Sequence, residues 1–251
     1  MYALITGASS GIGKEIAFGL AEKKMNLILV ARRIDRLNVL KQELTSKYGI
    51  EVVVKGLDLS KQENCHLLHQ ETLDLKPEIV INNAGFGKVG FFDQIPLKTE
   101  LSMLELNIMS LHILTKLFVS TMEKGVILNV GSMAAFLPTP LLATYAASKA
   151  YVVSFSQAVN YELKKQNRNL SVLTLCPGPV ATEFGQVAEA QDMGLPGISA
   201  KVCANVAIKG VLKKKPKIIP SFQMKFLHFI IRFFPTQFIL KMSYKLQNKK
   251  R

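Results

Sequence analysis

The stretch "YALITGASSGIGKEIAFGL", residues 2–20, decides the fold. It opens with a short apolar run, "YALITG" (2–7), which predicts a buried strand that ends at glycine. After the small residues of the turn, Ile12, Ile16 and Leu20 recur at the spacing of one helix face, which predicts a helix. A strand, a glycine-rich turn and a helix in this order are typical of the first unit of a parallel α/β sheet.

The same alternation continues along the chain. Strands are predicted at 26–32, 51–60, 77–85, 125–132 and 170–178, and helices at 35–48, 61–74, 100–122 and about 143–165. Near-continuous apolar strands divided by helices indicate a parallel sheet that is covered on both faces. We therefore predict a single-domain α/β fold, a Rossmann-type doubly wound parallel sheet with helices on both faces. Such a sheet binds its ligand beyond the carboxyl ends of the strands.

Charge is distributed unevenly along the chain. The formal net charge is +14, yet residues 1–200 hold 19 Lys/Arg against 18 Asp/Glu, whereas residues 201–251 hold 13 Lys/Arg and no acid. Because the body is nearly neutral, it offers no broad basic face, and no nucleic-acid partner is predicted. The basic charge belongs to the tail.

Cysteine usage indicates the compartment. Cys65, Cys176 and Cys203 are scattered without metal-ligand spacing, so we predict no metal site and a reduced, cytoplasmic setting. The chain begins almost directly with a strand, so no signal peptide is expected. Without an uninterrupted run of about 20 apolar residues, no membrane-spanning helix is expected.

The turn "TGASSGIG" (6–13) is predicted to hold the phosphates of a dinucleotide. Gly7 allows the tight turn, Gly11 lets the backbone approach a phosphate, and Gly13 permits close packing of the helix. The helix N-terminus adds free N–H groups and the positive end of its dipole. A tight turn without a ligand is the alternative. The cofactor-binding candidates here are Thr6, Gly7, Ser9, Ser10, Gly11, Ile12 and Gly13.

Arg32 and Arg33, in "VARR" at the end of the second strand, indicate which dinucleotide binds. Proteins that bind NAD usually place an acid here to hold the ribose 2′-OH. An acid would repel a 2′-phosphate, whereas a guanidinium forks onto it. We therefore predict NADP(H) as the cofactor, with solvated surface arginines as the alternative.

Two further strand ends supply cofactor candidates. Asp58, beside Leu59 in "LDLS", is placed to accept a hydrogen bond from the adenine amino group, and a plain turn or N-cap aspartate is the alternative. Asn83, Ala84 and Gly85, in "NNAG" (82–85), offer amide donors and a small pair of residues where a planar ring must come near the backbone.

Tyr145 and Lys149, in "TYAASKAY" (144–151), lie four residues apart in a predicted helix and therefore share one face. The small residues between them let another molecule approach closely. A nearby ammonium stabilises phenolate, so we expect the pKa of Tyr145 to fall below its usual value of about 10. That change would suit the phenol to proton transfer near neutral pH. An exposed lysine on an amphipathic helix is the alternative.

Residues 1–182 resemble the short-chain dehydrogenase/reductase family. The motifs that carry the resemblance are "TGASSGIG", "NNAG", "ELNIMS" with Asn107, "NVGS" with Ser132, "YAASK" and "PGPVAT", in the family's order and spacing. The resemblance implies that Tyr145 protonates a substrate carbonyl oxygen, to which Ser132 donates a hydrogen bond. It implies that Lys149 lowers the pKa of Tyr145 and holds the nicotinamide ribose, while Asn107 anchors a water in a proton relay. Singly, Ser132 could be a strand-end turn residue and Asn107 a helix amide bonded to backbone.

The resemblance extends to a loop and to a branch of the family. It implies that "PGPVAT" (177–182) meets the nicotinamide carboxamide, with Val180 and Thr182 as the contacts and Pro177 and Gly178 as further cofactor-binding candidates; a proline-braced loop is the alternative. The segments "LVARR" and "CPGPVATEF" and the basic tail are similar to the branch of DltE-like oxidoreductases and long-chain 3-oxoacyl-coenzyme A or hydroxysteroid reductases. Family members are commonly dimers or tetramers, which implies a homodimer or homotetramer.

These observations predict a dinucleotide-binding and catalytic domain over residues 1–220 and a basic, apolar helical extension over 221–251. Within the domain, 183–215 is predicted as a substrate loop or lid, and "KPKIIPS" (215–221) as a last strand. In the extension, Phe238, Met242 and Leu246 recur beside a stripe of Lys241, Lys245 and Lys249. Such a helix can cap the substrate pocket, pack on a neighbouring subunit, or lie on an anionic bilayer. A role for the tail in nucleic-acid binding is the weakest alternative.

The predicted function is an NADP(H)-dependent carbonyl reductase, reversibly an alcohol dehydrogenase, that acts on a small and fairly apolar molecule. Apolar residues in the loops, Phe86, Phe136, Leu137 and Phe184, suggest the apolar substrate. The alternative is a catalytically idle dinucleotide-binding protein that serves as a sensor or as a partner at a membrane surface. The complete set of Asn107, Ser132, Tyr145 and Lys149 favours the enzyme.

Overall fold

A computed structural model describes residues 1–189 and 197–248 of the chain. The strands in these residues are β1 (Tyr2–Thr6), β2 (Asn26–Ala31), β3 (Val52–Gly56), β4 (Ile79–Asn82), β5 (Lys124–Val130), β6 (Asn169–Leu175), β7 (Val180–Ala181), β8 (Ile198–Ser199) and β9 (Lys217–Ile218). Seven of them form one sheet in the order β3-β2-β1-β4-β5-β6-β9, and every pairing in it is parallel. The short strands β7 and β8 pair separately.

Helices connect the strands and cover both faces of the sheet. They are α1 (Gly11–Ala21), α2 (Ile34–Tyr48), α3 (Gln62–Thr72), α4 (Leu97–Leu104), α5 (Leu111–Thr121), α6 (Ala143–Lys165), α7 (Phe184–Val187), α8 (Ala200–Leu212), α9 (Phe222–Ile230) and α10 (Thr236–Asn248). A π-helical turn, Glu105–Ser110, joins α4 to α5, and 3₁₀ turns occur at Met133–Phe136 and Ile231–Phe233.

Alternate residues of each strand feed two separate hydrophobic layers. In β1, Ala3 and Ile5 pack into the layer beneath α1, α2 and α8, whereas Leu4 packs into the layer beneath α3, α5 and α6. Both sides of the strand are therefore buried, which explains its continuous apolar run. The predicted Rossmann-type doubly wound fold is confirmed.

Several strands end earlier than the sequence predicts, because turn residues follow them directly. Gly7 has φ +65°, a left-handed conformation that leaves the β region, so β1 ends at Thr6. The chain then turns into α1. The strand predicted within 215–221 forms at Lys217–Ile218 and pairs with β6.

The prediction of a lid over 183–215 is wrong for its second half. Residues 200–212 form α8, a regular helix in which Cys203, Ala207 and Val211 are buried. This helix packs closely on α1, since a Cβ placed on Gly19 would lie 2.4 Å from Cδ1 of Ile208. The apolar spacing of α8 therefore serves the core. Positions 190–196 of the predicted lid lie outside the described residues.

The long helical segment Leu97–Thr121 comprises α4, the π turn and α5. By length and composition alone it is the one helical segment of the described residues that is apolar enough to span a membrane. Its residues Met103, Leu114 and Phe118 are buried inside the protein, which is typical of the core helix of an α/β domain. The periodicity predicted one continuous helix here, and the π turn interrupts it at Asn107.

The C-terminal extension is helical, as predicted. Helix α9 and helix α10 are joined through the second 3₁₀ turn and Pro235. Ile231 and Ile239 are buried against the domain. Lys249, which belongs to the lysine stripe predicted from the sequence, lies outside the described residues.

Candidate active site

A cleft of about 850 Å³ opens at the carboxyl ends of the strands, where the sequence predicted the ligand. The predicted site residues that line it are Gly7, Ser9, Ser10, Gly11, Ile12, Arg32, Arg33, Asp58, Leu59, Asn83, Ala84, Gly85, Ser132, Tyr145, Lys149, Pro177, Gly178, Val180 and Thr182. Three predicted residues, Thr6, Gly13 and Asn107, lie behind its wall and support it. Contact of these residues with a cofactor stays a prediction.

Thr6 and Asn83 tie together the two strand ends between which the strand order reverses. The Thr6 hydroxyl accepts hydrogen bonds from the backbone N–H groups of Asn83 (2.9 Å) and Ala84 (3.0 Å). The Asn83 side-chain amide donates to the carbonyl oxygens of Thr6 (2.9 Å) and Gly7 (3.2 Å). Both side chains therefore shape the bottom of the cleft through backbone bonds.

The glycines of the turn are required by close approaches. A Cβ on Gly13 would lie 2.5 Å from the Gly7 carbonyl oxygen, and one on Gly7 would lie 2.8 Å from Nδ2 of Asn83. Gly11, with φ +55°, opens α1 at the edge of the cleft. Gly11 and Ile12, the first residues of α1, line the cleft, and the N–H groups at a helix N-terminus that lack intrahelical partners are suited to bind a phosphate. The local geometry fits the pyrophosphate of a dinucleotide.

Tyr145 and Lys149 meet at the inner end of the cleft. Lys149 is buried, its Nζ lies 5.7 Å from the centroid of the Tyr145 ring, and it donates to the Val130 carbonyl oxygen at 2.9 Å. The Ser132 hydroxyl oxygen accepts from the Ala134 N–H (3.1 Å), and the same hydroxyl is a hydrogen-bond partner of Tyr145. Two hydroxyl groups and one ammonium thus converge on one part of the cleft.

The pKa shifts here are controlled by burial. Burial raises the pKa of Tyr145 to about 12, and the hydrogen bond from Ser132 acts in the opposite direction. Burial also lowers the pKa of Lys149 to about 8. The pKa of Tyr145 thus shifts in the direction opposite to the one predicted from the sequence. The Lys149 ammonium lies over the ring and donates its hydrogen bond to Val130, while desolvation of the phenol raises its pKa.

Asn107 is held by its surroundings from three sides. Its Oδ1 accepts from the Phe86 N–H (3.1 Å), and its Nδ2 donates to the Phe86 carbonyl (2.9 Å) and to Oγ of Ser148 (3.1 Å). A Cβ on Gly85 would lie 2.7 Å from Oδ1 of Asn107 and 3.4 Å from Nζ of Lys149. The π turn therefore joins the loop after β4 to α6 through an amide bonded to backbone, and the water relay predicted for Asn107 stays a prediction.

At the outer end of the cleft, Arg33 rather than Arg32 contacts the glycine turn. Its guanidinium donates to Oγ of Ser9 (3.1 Å) and Oγ of Ser10 (2.9 Å). It also pairs with Glu183 (3.0 Å), whose other oxygen pairs with Arg36 (2.7 Å). Hydrogen bonds from Arg36 and then Arg33 lower the pKa of Glu183. A carboxylate thus lies where the sequence predicts a 2′-phosphate.

Asp58 serves the turn that follows β3. Its Oδ1 accepts from the Ser60 N–H (3.1 Å) and the Ser60 hydroxyl (2.8 Å). This is the turn aspartate that the sequence left open as the alternative. Because Asp58 also lines the cleft, the contact with adenine stays a prediction.

The cleft has walls that the motifs did not predict. Glu183 follows "PGPVAT", and Met224, Leu227, Met242 and Leu246 come from the extension. Glu183 has no signal of its own in the sequence. Met242 and Leu246 belong to the apolar stripe for which capping of the substrate pocket was one alternative, and their place in the cleft wall agrees with it. Phe86, Leu137 and Phe184 line the cleft as predicted, and the Phe184 ring lies 5.4 Å from that of Tyr145.

The prediction for Phe136 is wrong. Its side chain does not line the cleft but packs on the His228 ring, with 4.1 Å between the centroids, beside a second and smaller cavity. The residue lies at the end of a 3₁₀ turn, and this places it under α9.

Fold and site together define a Rossmann-type oxidoreductase that binds a nicotinamide dinucleotide. The sequence model described as short chain dehydrogenase matches residues 1–192. The chain belongs to the short-chain dehydrogenase/reductase family. Its relatives support the branch of very-long-chain 3-oxoacyl-CoA reductases and 17-beta-hydroxysteroid dehydrogenases.

Two relatives illustrate the branch. The very-long-chain 3-oxoacyl-CoA reductase of Anas platyrhynchos is 31% identical over 252 residues, which cover 97% of this chain and 79% of the relative. The 17-beta-hydroxysteroid dehydrogenase type 3 of Homo sapiens is 34% identical over 69% of this chain and 57% of its own length. The chain spans about half the length of several other curated relatives.

Solved structures agree with this assignment. The short-chain dehydrogenase of Sphingobium yanoikuyae in complex with NADPH has a TM-score of 0.82 and 30% identity, with 88% of each chain covered. A short-chain dehydrogenase/reductase of Burkholderia phymatum in complex with NAD has a TM-score of 0.84 over 92% of each chain, and at 22% identity it supports the fold alone. Complexes with both dinucleotides thus occur among the neighbours.

Proposed function

We propose that this protein is an NADP(H)-dependent oxidoreductase that interconverts a carbonyl and an alcohol on a fairly apolar substrate, with Tyr145 as general acid and base. The observation that carries the proposal is the convergence of Tyr145, Ser132 and Lys149 at the inner end of the cleft. When bound, the nicotinamide supplies or accepts the hydride.

Side chains in the cleft can supply the proton that the substrate carbonyl oxygen takes up during reduction. Tyr145, with its pKa raised to about 12, carries its proton at neutral pH and can donate it from Oη to a carbonyl oxygen on which charge builds. Ser132 supplies a second donor to the same oxygen. Lys149, with its pKa lowered to about 8, can hold or release a proton near neutral pH. Its positive charge stabilises the phenolate that Tyr145 becomes once it has given up its proton.

Two observations support a preference for NADP(H). Arg33 is bonded to two hydroxyl groups of the glycine turn, at the end of β2 where the ribose is expected. The relative from Sphingobium yanoikuyae, 30% identical, has been solved with NADPH. A guanidinium in this place recognises a phosphate oxygen in a charge-assisted geometry.

The apolar walls support the substrate class. Phe184, Leu137, Met224 and Leu227, from three different segments of the chain, line the same cleft as Tyr145. The names of the relatives, 3-oxoacyl-CoA reductase and hydroxysteroid dehydrogenase, both describe a carbonyl or hydroxyl group on a large apolar body. We therefore propose 3-oxoacyl thioesters as the first class of substrate to test, with keto-steroids second.

A panel of carbonyl compounds tests the function. Purified protein is mixed with NADPH or NADH and with 3-oxoacyl thioesters, keto-steroids or simple aldehydes, or with NADP⁺ or NAD⁺ and hydroxy acids, and nicotinamide absorbance is followed. We expect turnover with apolar ketones and a higher kcat/KM with NADPH. Tight NADPH binding without turnover on any compound would instead favour an idle sensor, the second candidate function. The intact pair of Tyr145 and Lys149 argues against that candidate.

We also propose a cytoplasmic protein that assembles as a homodimer or homotetramer. The three cysteines are free and buried, which suits a reducing compartment. Light scattering of the eluting peak in size-exclusion chromatography measures the mass in solution, and a monomer would contradict the assembly.

A further inference from the structure

The C-terminal extension presents an unusually apolar outer surface. Phe222, Phe226, Phe229 and Phe233 follow one another at steps of four, three and four residues, so they form one stripe along α9 and the 3₁₀ turn. Their exposed fractions are 81%, 59%, 60% and 71%. We call these four residues the outer phenylalanine face. Contiguous apolar surface of this kind marks an interaction site.

The opposite side of α9 accounts for the packing of the helix. Met224 and Leu227 line the cleft, and Ile231 is buried. Met224 lies directly on the "PGPVAT" loop (177–182), since a Cβ on Gly178 would be 2.7 Å from its Sδ. The outer phenylalanine face is therefore not needed to hold the helix in place.

Helix α10 continues the surface with a mixture of apolar and basic residues. The Phe234 and Phe238 rings stack with centroids 5.0 Å apart, and both are exposed. Lys241 and Lys245, one and two turns further on, are exposed as well. Lys225 lies among the phenylalanines of α9. Aromatic residues bordered by lysines are typical of a helix that lies at a membrane interface.

A cluster of cationic and imidazole side chains lies at the flank of the same helix. Nζ of Lys217 is 2.9 Å and Nη2 of Arg232 is 3.1 Å from Nε2 of His228. Lysine and arginine only donate, so Nε2 must accept from both and the imidazole is neutral. These three side chains line the second cavity, of about 440 Å³, and the described residues that line it include no Asp or Glu. The cavity therefore offers donors and positive charge to an anion.

The positive charge of the C-terminal segment indicates which kind of partner covers this surface. Residues 201–251 hold 13 Lys/Arg and no acid. A second copy related by a two-fold axis would bring the same basic surface against itself, and like charges would repel. An anionic bilayer offers both an apolar layer for aromatic rings and phosphate groups for the cations.

We propose that α9, the 3₁₀ turn and α10 form a docking surface for an anionic phospholipid bilayer. The outer phenylalanine face enters the boundary of the acyl chains, while Lys225, Lys241 and Lys245 contact headgroups. Lys217, His228 and Arg232 bind a headgroup phosphate. The proposal goes beyond the proposed function and stands without it. Because the other side of α9 lines the cleft, a docked bilayer lies about 10 Å, one helix diameter, from the cleft.

Co-sedimentation of the full chain with vesicles tests the proposal. We expect binding to vesicles of phosphatidylcholine mixed with phosphatidylserine at low salt, about tenfold or more above binding to phosphatidylcholine alone, and release at high salt. Protein that stays in the supernatant with both kinds of vesicle at low salt would overturn the proposal. So would equal binding to the two kinds.

Matched variants separate the two components of the surface. Phe226→Ser with Phe229→Ser should reduce vesicle binding about tenfold or more. The control Val39→Ser with Phe92→Ser, which also removes two exposed apolar side chains, should not change it. NADPH binding and the thermal midpoint show that each variant is folded. Loss of binding in the control alone, or in both pairs equally, would contradict a specific surface.

The basic residues have their own pair of variants. Lys225→Gln, Arg232→Gln and Lys245→Gln together should abolish the preference for anionic vesicles, a loss of about tenfold or more. The control Lys23→Gln, Lys41→Gln and Lys164→Gln removes the same amount of charge at exposed positions elsewhere and should leave the preference for anionic vesicles unchanged.

If the phenylalanine variants lower the oligomeric mass in size-exclusion chromatography and leave vesicle binding unchanged, a second copy covers the surface and the proposal is wrong.

Discussion

The outer end of the cleft holds exposed charges in ion pairs, whereas the inner end holds a buried ammonium. At the outer end, Arg33 and Arg36 share the carboxylate of Glu183, and all three side chains are between 39% and 50% exposed. At the inner end, Lys149 is buried without a carboxylate partner in the described residues, and burial shifts its pKa and that of Tyr145 strongly. At the outer end the charges are exposed and paired, with one carboxylate between two guanidinium groups. At the inner end burial has shifted the pKa values of the two titratable groups.

The difference separates recognition from chemistry. Exposed ion pairs contribute little to stability because solvent screens them, so the outer end can exchange one anion for another at low cost. A buried ammonium and a partly buried, desolvated phenol are costly, and perturbed groups of this kind cluster where proton transfer occurs. The outer end therefore suits selection of the dinucleotide, and the inner end suits the reaction.

The largest effect is expected from Tyr145→Phe at the inner end. The change removes only the hydroxyl that we propose as proton donor, so turnover should fall by about 10²- to 10⁴-fold. NADPH binding, measured by fluorescence titration, should stay within about twofold of the parent because the ring is retained. If turnover changes by less than tenfold, another group supplies the proton.

Next in size is Arg33→Ala at the outer end. Loss of a charge-assisted bond to a 2′-phosphate, about 1.5–3 kcal/mol, should raise the Kd for NADPH roughly 10- to 100-fold and leave the Kd for NADH almost unchanged. Arg32→Ala is the matched control, since Arg32 has the same charge and exposure but donates no side-chain bond to Ser9 or Ser10 in the described structure. A larger effect in the control would show that the two arginines exchange roles when the cofactor binds.

Lys149→Met should stabilise the fold. A pKa lowered from 10.5 to about 8 corresponds to about 3 kcal/mol of destabilisation while the lysine is charged. Loss of the bond to Val130 offsets about 1 kcal/mol or more, which leaves a net gain of about 1–2 kcal/mol at neutral pH.

The pH dependence of that gain checks the cause. Between about pH 8 and 10.5 the unfolded parent chain binds a proton that native Lys149 has already released, so the stability of the parent rises with pH across this window. The advantage of Lys149→Met in urea unfolding should therefore shrink from pH 8 upwards. An advantage that is constant with pH would point to better packing of methionine instead.

Much of the fold was predictable because the sheet is buried on both faces. Each β strand is a short apolar run with few alternatives, and the helix predicted at about 143–165 occurs as Ala143–Lys165. Helix α8 was missed because its apolar spacing follows a glycine-containing stretch that indicates a loop. The π turn at Asn107 was missed because periodicity at 3.6 residues per turn cannot register one extra residue.

The site was predictable where backbone geometry demands a residue type. Gly13 and Gly85 must be glycine because their neighbours leave no room for a Cβ, and such positions are visible in a motif. The pKa of Tyr145 was not predictable, since its direction depends on burial, which a spacing of four residues does not report. Nor could the sequence tell Arg32 from Arg33, because neighbouring side chains diverge at the end of a strand.

The smallest effect is expected from Glu183→Gln, and its sign is opposite to that of Arg33→Ala. The Glu183 carboxylate holds the guanidinium groups that we expect a 2′-phosphate to contact, so the two anions compete for them. An exposed pair is worth about 0.2–1 kcal/mol, so removing the charge should tighten NADPH binding by roughly two- to fivefold. NADH, which has no 2′-phosphate, should bind as before.

Thr99→Ser, a conservative change elsewhere on the cleft wall, is the control for Glu183→Gln and should leave the Kd for NADPH unchanged. Weaker NADPH binding in Glu183→Gln would mean that the carboxylate orients Arg33 for the phosphate, and the two ends of the cleft would then both depend on fixed partners.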